Sequence, residues 1–234
     1  MEAKEKQFIV TEKWLEENGA LEAHLQAFKQ HFPNGGEALE VLEWCGKLNY
    51  RYFGEWLVNC LPPIFPPLVL GNFFGNLFYP GDVHIEDDIF TYGLIHIKGS
   101  LKVDGKLTVI RDGKVYTYND INANMIEVKG DAYIHAANIK ADSMSVTDFT
   151  LISDNIITDY INISKFSSIF GNIKAKIVRF KTGYDGYISG SVDADEIIND
   201  GGLIKGDVNT FTIENINGGR VKGKISYKSP DEHK

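Results

Sequence analysis

Two cysteines in 234 residues, Cys45 and Cys60, are too few to staple a fold. Both fall in helical-looking sequence without metal-ligand partners nearby, so they read as reduced thiols of a cytoplasmic protein and no metal site is expected. Arginine is scarce too: beyond residue 64 only Arg111, Arg179 and Arg220 occur. The formal net charge of −8 is shared by both parts of the chain, with 10 acids against 6 bases in residues 1 to 62 and 22 against 18 afterwards. Both parts repel phosphate, which argues against nucleic acid and for a basic protein as partner. From Trp56 to Gly81 there is no charge at all, a length that could span a membrane. The five prolines and three glycines of LPPIFPPLVLGNFFGNLFYPG break a spanning helix, so this is read as a buried junction and no membrane span is expected. The start MEAKEKQFIV has no basic region followed by an apolar run, and no secretory signal is expected. Also missing are a G-x-S-x-G elbow, a phosphate-binding Walker loop and a Cys-His nucleophile pattern.

What the chain has is a repeated phrase: IKGSL at 97–101, VKGDA at 128–132, IFGNI at 169–173, ISGSV at 188–192, IKGDV at 204–208 and VKGKI at 221–225. Gly171, Gly190, Gly206 and Gly223 are 19, 16 and 17 residues apart, and Gly99 and Gly130 are separated by 31, near two such periods. A unit of this size cannot bury its own apolar face, so units stack into a continuous core. The recurring glycine suggests a corner with left-handed or crowded backbone.

Residues 11 to 61 carry helical periodicity. Thr11 can cap a first helix that Asn18-Gly19 ends; Leu21, Leu25, Phe28 and Phe32 mark a second; Leu39, Leu42, Trp44 and Cys45 a third; Phe53, Trp56 and Cys60 a fourth that stops before Pro62-Pro63. From Leu68 onward short alternating strands take over, rich in Val, Ile, Thr and Tyr, with Asn, Asp and Gly between them. The predicted fold is mainly β: a right-handed parallel β-helix of about nine coils, capped at one end by a small N-terminal α-helical bundle. A left-handed hexapeptide helix would need a register that residues 120 to 200 do not keep, whereas alternation alone leaves an antiparallel sandwich open. The predicted divisions are 1–63 helical bundle, 64–81 apolar junction and first coil, 82–228 β-helix and 229–234 tail.

The stretch GNIKAKIVRFKTGYDGYISGSVDADEIINDGGLIKGDVNTFTIENINGGRVKGKIS resembles the bactofilin, or polymer-forming cytoskeletal, family, with the likeness running over residues 169 to 227. It implies a right-handed β-helix that polymerises end to end and brings no catalytic residue. The chain departs from that family where a helical domain replaces a loose N-terminal tail. It also carries Arg220, Lys222, Lys224 and Lys228 without an acid at the opposite end, an arrangement that blocks end-to-end stacking of like ends. A monomer or small oligomer is expected.

His84, His96 and His135 sit in the strand phrases VHI, IHI and YIH and are expected to face solvent. Tyr92, Tyr116, Tyr118, Tyr160, Tyr184 and Tyr187 decorate the rod. Asp82, Glu86, Asp87 and Asp88 form one acidic cluster, and Asp193, Asp195, Glu196 and Asp200 another. Paired carboxylates can hydrolyse glycosides, but solvated turns are the commoner use of such residues. The leading expectation is a non-catalytic β-solenoid, needing no cofactor, that uses these eight acids to neutralise a basic protein partner as an inhibitor or immunity-type protein. The alternatives are a bactofilin-like scaffold and, third, a carbohydrate-active β-helix enzyme.

Overall fold

A computed structural model describes residues 8–181 and 186–229. Tyr184, the first seven residues and the predicted tail beyond Ser229 lie outside the described residues. The described residues form a parallel β-solenoid preceded by four helices. A nine-stranded sheet runs from Leu77–Tyr79 to Arg220–Val221 and a thirteen-stranded sheet from Leu68–Leu70 to Ile225–Tyr227. Every pairing between solenoid strands is parallel, which removes the antiparallel sandwich.

Each coil spends a short strand in the first sheet and a long one in the second. Aliphatic residues two apart point inward and stack in register: Ile95, Val115, Ile134, Ile152, Ile169, Ile188, Ile204 and Val221 form one such column. Most of its members are wholly buried, and each such side chain stabilises the fold by about 1.5–3 kcal/mol. In the long strands the alternation slips by one. Ile121 and Ala123 point inward, Asn124 and Met125 both point outward, and Ile126 and Val128 are inward again. Two outward residues in succession make a corner.

Glycine serves two different corners. In the first, Gly171, Gly190, Gly206 and Gly223 lie directly over one another: a Cβ on Gly190 would fall 2.3 Å from the Gly171 carbonyl oxygen, and one on Gly223 2.3 Å from that of Gly206. Close approach of backbones, and not a left-handed conformation, requires glycine there. Gly99 belongs to this column, over Gly81. Gly130 does not, although its phrase looks the same. It has a φ of +72° and stands at the opposite corner, with Arg111, Asp131, Asp148, Phe149, Lys165 and Phe166, all at positive φ.

The helices are α1 (Glu12–Glu17), α2 (Glu22–His31), α3 (Ala38–Lys47) and α4 (Arg51–Cys60). Thr11 caps α1 as predicted, its Oγ1 accepting from Trp14 N at 3.2 Å. A two-residue antiparallel pairing of Ile9–Val10 with Gly36–Glu37, which periodicity does not reveal, ties the bundle together. The bundle sits at the first-coil end, but its main contact is lateral. Leu57 and Val58 share a core with Phe78, Leu94 and Tyr116 on the outer face of the nine-stranded sheet, and Gly54 leaves room for the Phe78 ring, 2.7 Å from where a Cβ would be. Over the mouth of the first coil α3 leaves an apolar pocket of about 500 Å³, lined by Leu39, Leu42, Leu68 and Phe73 among others. No helix among the described residues is long and apolar enough to cross a membrane.

Candidate functional site

One residue beyond the inward pair of each long strand comes the corner described above, and the phrase that builds it recurs. Val83-His84-Ile85 is followed by Glu86, Leu101-Lys102-Val103 by Asp104 and Ile121-Asn122-Ala123 by Asn124. The same pattern gives Asp142 after Ala141, Asp159 after Thr158, Lys176 after Ala175 and Asp195 after Ala194. The strand registers pair these coils in succession, so the seven positions form one straight ridge. Six coil steps at ~4.8 Å make it about 29 Å long. Glu86 and Asp87 of the first predicted cluster and Asp195 of the second, more than a hundred residues apart in the chain, thus stand at its two ends, joined by Asp104, Asp142 and Asp159.

The eight predicted residues divide by role. Asp82 Oδ1 accepts from Ser100 N at 2.7 Å, and Asp88 Oδ1 from Lys106 N at 2.7 Å, so both brace the backbone of the next coil. Asp82 opens a ladder repeated by Asn155 with Asn172 N (3.0 Å), Asn172 with Ser191 N (2.8 Å) and Asp207 with Lys224 N (2.8 Å). Asp200 is buried away from the ridge and accepts from Asn217 Nδ2 at 2.7 Å. Asp193 and Asp195 both hold Lys228, at 2.7 and 3.1 Å. Burial works against the charge of Lys228, but the two carboxylates outweigh it and raise its pKa above the ordinary value. Lys228, expected among the free bases of the far end, is therefore drawn onto the acidic face. Glu86 and Asp87 are exposed, and Glu196 is half-buried beside the ridge.

Sequence reasoning missed Asp104, Asp142 and Asp159. The Lys102 ammonium at 2.8 Å, and next the His84 ring at 2.7 Å, hold the Asp104 carboxyl below the usual range. Lys176 lies 2.7 Å from Asp159, and that bond raises its pKa, with Asp195 and Asp142 adding to the effect. Asp142 is exposed and stands outside these ion pairs. The carboxylates lie in file rather than converging, and no cluster able to hold a metal ion is found among the described residues. Such a line can attract and orient a cation-bearing surface.

The histidines part company with expectation in one case. His135 is half-exposed and His84 partly so, but His96 is only 4 % exposed because α4 covers it. His135 Nδ1 lies 3.2 Å from Asp154 Oδ1, a buried carboxylate whose Oδ2 accepts from Ala136 N at 2.7 Å. Burial pushes the Asp154 carboxyl up to about 6 against the opposing pull of the Ala136 N–H and His135.

No family model, curated protein or solved structure matches this chain.

Proposed function

We propose that the protein is a non-catalytic binding module of the cytoplasm whose acidic ridge takes a basic protein, acting as an inhibitor or immunity-type partner. The observation that carries this reading is the file of five carboxylates, Glu86, Asp104, Asp142, Asp159 and Asp195, that successive coils place along one corner about 29 Å long at the ~4.8 Å coil repeat, with Asn124 and Lys176 between them. A rigid surface binds without a large ordering cost, and exposed like charges steer an oppositely charged partner. The test is affinity capture from the native cytoplasm with the wild type and with the Glu86→Lys, Asp142→Lys double variant as baits. Basic proteins retained by the first and lost by the second support the reading. Equal retention by both baits, or retention of acidic proteins only, removes it.

A second reading, an end-to-end scaffold, is favoured by one feature. In the last described coil Ile213, Val221 and Ile225 are only partly buried, and among the described residues Arg220–Val221 and Ile225–Tyr227 are the final strands of their sheets. Open strand edges over an uncovered core are what a stacking partner would use. Filaments in negative-stain images of the untagged protein would put this reading first.

A further inference from the structure

We propose that the outer face of the nine-stranded sheet, beyond the part that α4 covers, docks an amphipathic helix of a partner protein, apolar along one side and acidic at both ends. Two outward columns make up this face, one on either side of the buried column that begins at Ile95. The first runs from Leu94 through Tyr133, Leu151 and Tyr187 to Leu203 and Arg220. The second runs from Phe78 through His96, Tyr116 and His135 to Phe170 and Lys222. α4 already docks on the start of the face: Leu57 and Val58 pack with Phe78, Leu94 and Tyr116, and Asn59 Oδ1 lies 3.0 Å from His96 Nε2. One helix is thus seated there, and the same aromatic and aliphatic surface continues past it.

The continuation is open. Tyr133, Leu151, Tyr187 and Leu203 are half-buried, Phe170 is 50 % exposed, and none of them joins the core that the helices share with the sheet. The cover stops at a cleft lined by Tyr52, Lys114 and Tyr116 among others, where Tyr52 of α4 is 83 % exposed. Contiguous apolar surface of this kind marks a docking site. Its dimensions select a helix. Tyr133 to Arg220 is five coil steps, about 24 Å at ~4.8 Å each, the length of about sixteen helical residues at ~1.5 Å. A helical turn rises ~5.4 Å, so one apolar residue per turn keeps pace with the coils and drifts by about half a step over four turns. An extended strand repeats its outward residues every ~6.8 Å and slips by a whole coil in about two and a half repeats.

Charge fixes the chemistry of the partner. Neither column holds a carboxylate, in a chain whose net charge is −8. The formal charges on the face are Lys114 beside α4 and Lys205, Arg220 and Lys222 at the far end, all exposed. None of the four forms an ion pair with a carboxylate among the described residues. In the cleft at the α4 end, Arg51 and Lys114 outnumber Glu55. Acidic turns at the two ends of the docked helix meet both groups of cations, and its apolar side meets the uncharged stretch between them. This partner is opposite in charge to the one proposed for the acidic ridge, which lies on the other sheet.

The test is fluorescence anisotropy of a labelled peptide of about sixteen residues, with leucine once per turn and glutamate in its first and last turns, titrated with the full chain. The peptide should bind saturably with a Kd below ~100 μM. Two control peptides, one with the leucines moved off helical spacing and one with lysine in place of glutamate, should bind at least about tenfold more weakly. Phe170→Ser and, separately, Arg220→Glu combined with Lys222→Glu should each weaken the first peptide by about tenfold or more while the melting temperature stays close to that of the wild type. The Glu86→Lys, Asp142→Lys ridge variant should bind it as the wild type does, which separates this face from the proposed ridge surface. The proposal is overturned by no saturable binding at millimolar concentration, by equal binding of either control, or by affinity unchanged in either variant. Saturable binding of polygalacturonate without binding of the peptide overturns it as well, giving the face to an anionic polysaccharide.

Discussion

Replacing Gly206 by alanine should destabilise the solenoid far more than the addition of one methyl group suggests. The new Cβ would fall 2.4 Å from the carbonyl carbon and oxygen of Gly190 and 2.6 Å from Ser191 N, all backbone atoms that no rotamer change can move. Carbon contacts are comfortable near ~3.5 Å, so the corner must open by about 1 Å. Lys205 N to Ile188 O and Val192 N to Asp207 O, each 2.9 Å, flank that corner and would pass beyond hydrogen-bonding length. Two lost bonds at ~1 kcal/mol each, with ~1–3 kcal/mol for overpacking, give about 3–5 kcal/mol. Gly218 is the contrast: its φ is +87°, but a Cβ there meets nothing within 4 Å. Gly218→Ala should cost only the left-handed backbone penalty, ~1–2 kcal/mol. Urea unfolding of both variants, with midpoints compared at unchanged slope, measures the difference. A Gly206→Ala loss equal to or smaller than that of Gly218→Ala would refute the stacked-backbone argument.

Other expectations follow from the same contacts. Asp82→Ala removes the acceptor of Ser100 N and should cost about 1–2 kcal/mol in urea unfolding, whereas Asp142→Ala, on the open ridge, should change stability by less than ~0.5 kcal/mol. His96 is held neutral with a folded pKa of about 4, below its unfolded value, so its contribution is intact above pH ~6.5 and is lost as pH falls toward ~4. The full loss is ~3 kcal/mol. Asp154 works in the opposite sense: its raised folded pKa makes stability fall as pH rises toward about 6. The acid loss should therefore be steepest in Asp154→Asn, measured by urea midpoints across this pH range, and an unchanged midpoint there would contradict the burial of His96.

The coil pattern was legible because inward aliphatics and a glycine in contact with its counterpart below leave little choice of residue. The equivalence of the six glycine phrases was not, since VKGDA and IKGDV read alike while Gly130 and Gly206 occupy different corners. Asp148, Phe149, Lys165 and Phe166 carry no turn signature strong enough to betray their positive φ. The ridge escaped for a different reason. Coil lengths vary and the register shifts between Ala123 and Met125, so counting residues does not place Asp104 above Glu86 or below Asn124. The signal was present in another form, as a small inward residue followed by Asp, Asn or Lys in Ala123-Asn124, Ala141-Asp142, Thr158-Asp159, Ala175-Lys176 and Ala194-Asp195. Burial of His96 was out of reach from the strand phrase alone, because α4, which covers it, comes from another part of the chain.

The most direct test of the acidic ridge is the rate at which the protein associates with a captured partner as salt is raised. Stopped-flow association measured between about 50 and 500 mM salt should slow by about tenfold or more, because exposed charges act over a Debye length that shrinks across this range. The Glu86→Lys, Asp142→Lys variant should start slow and respond little to salt, with an unchanged melting temperature. A wild-type rate indifferent to salt, or a variant that associates as fast as the wild type, would contradict capture by the ridge.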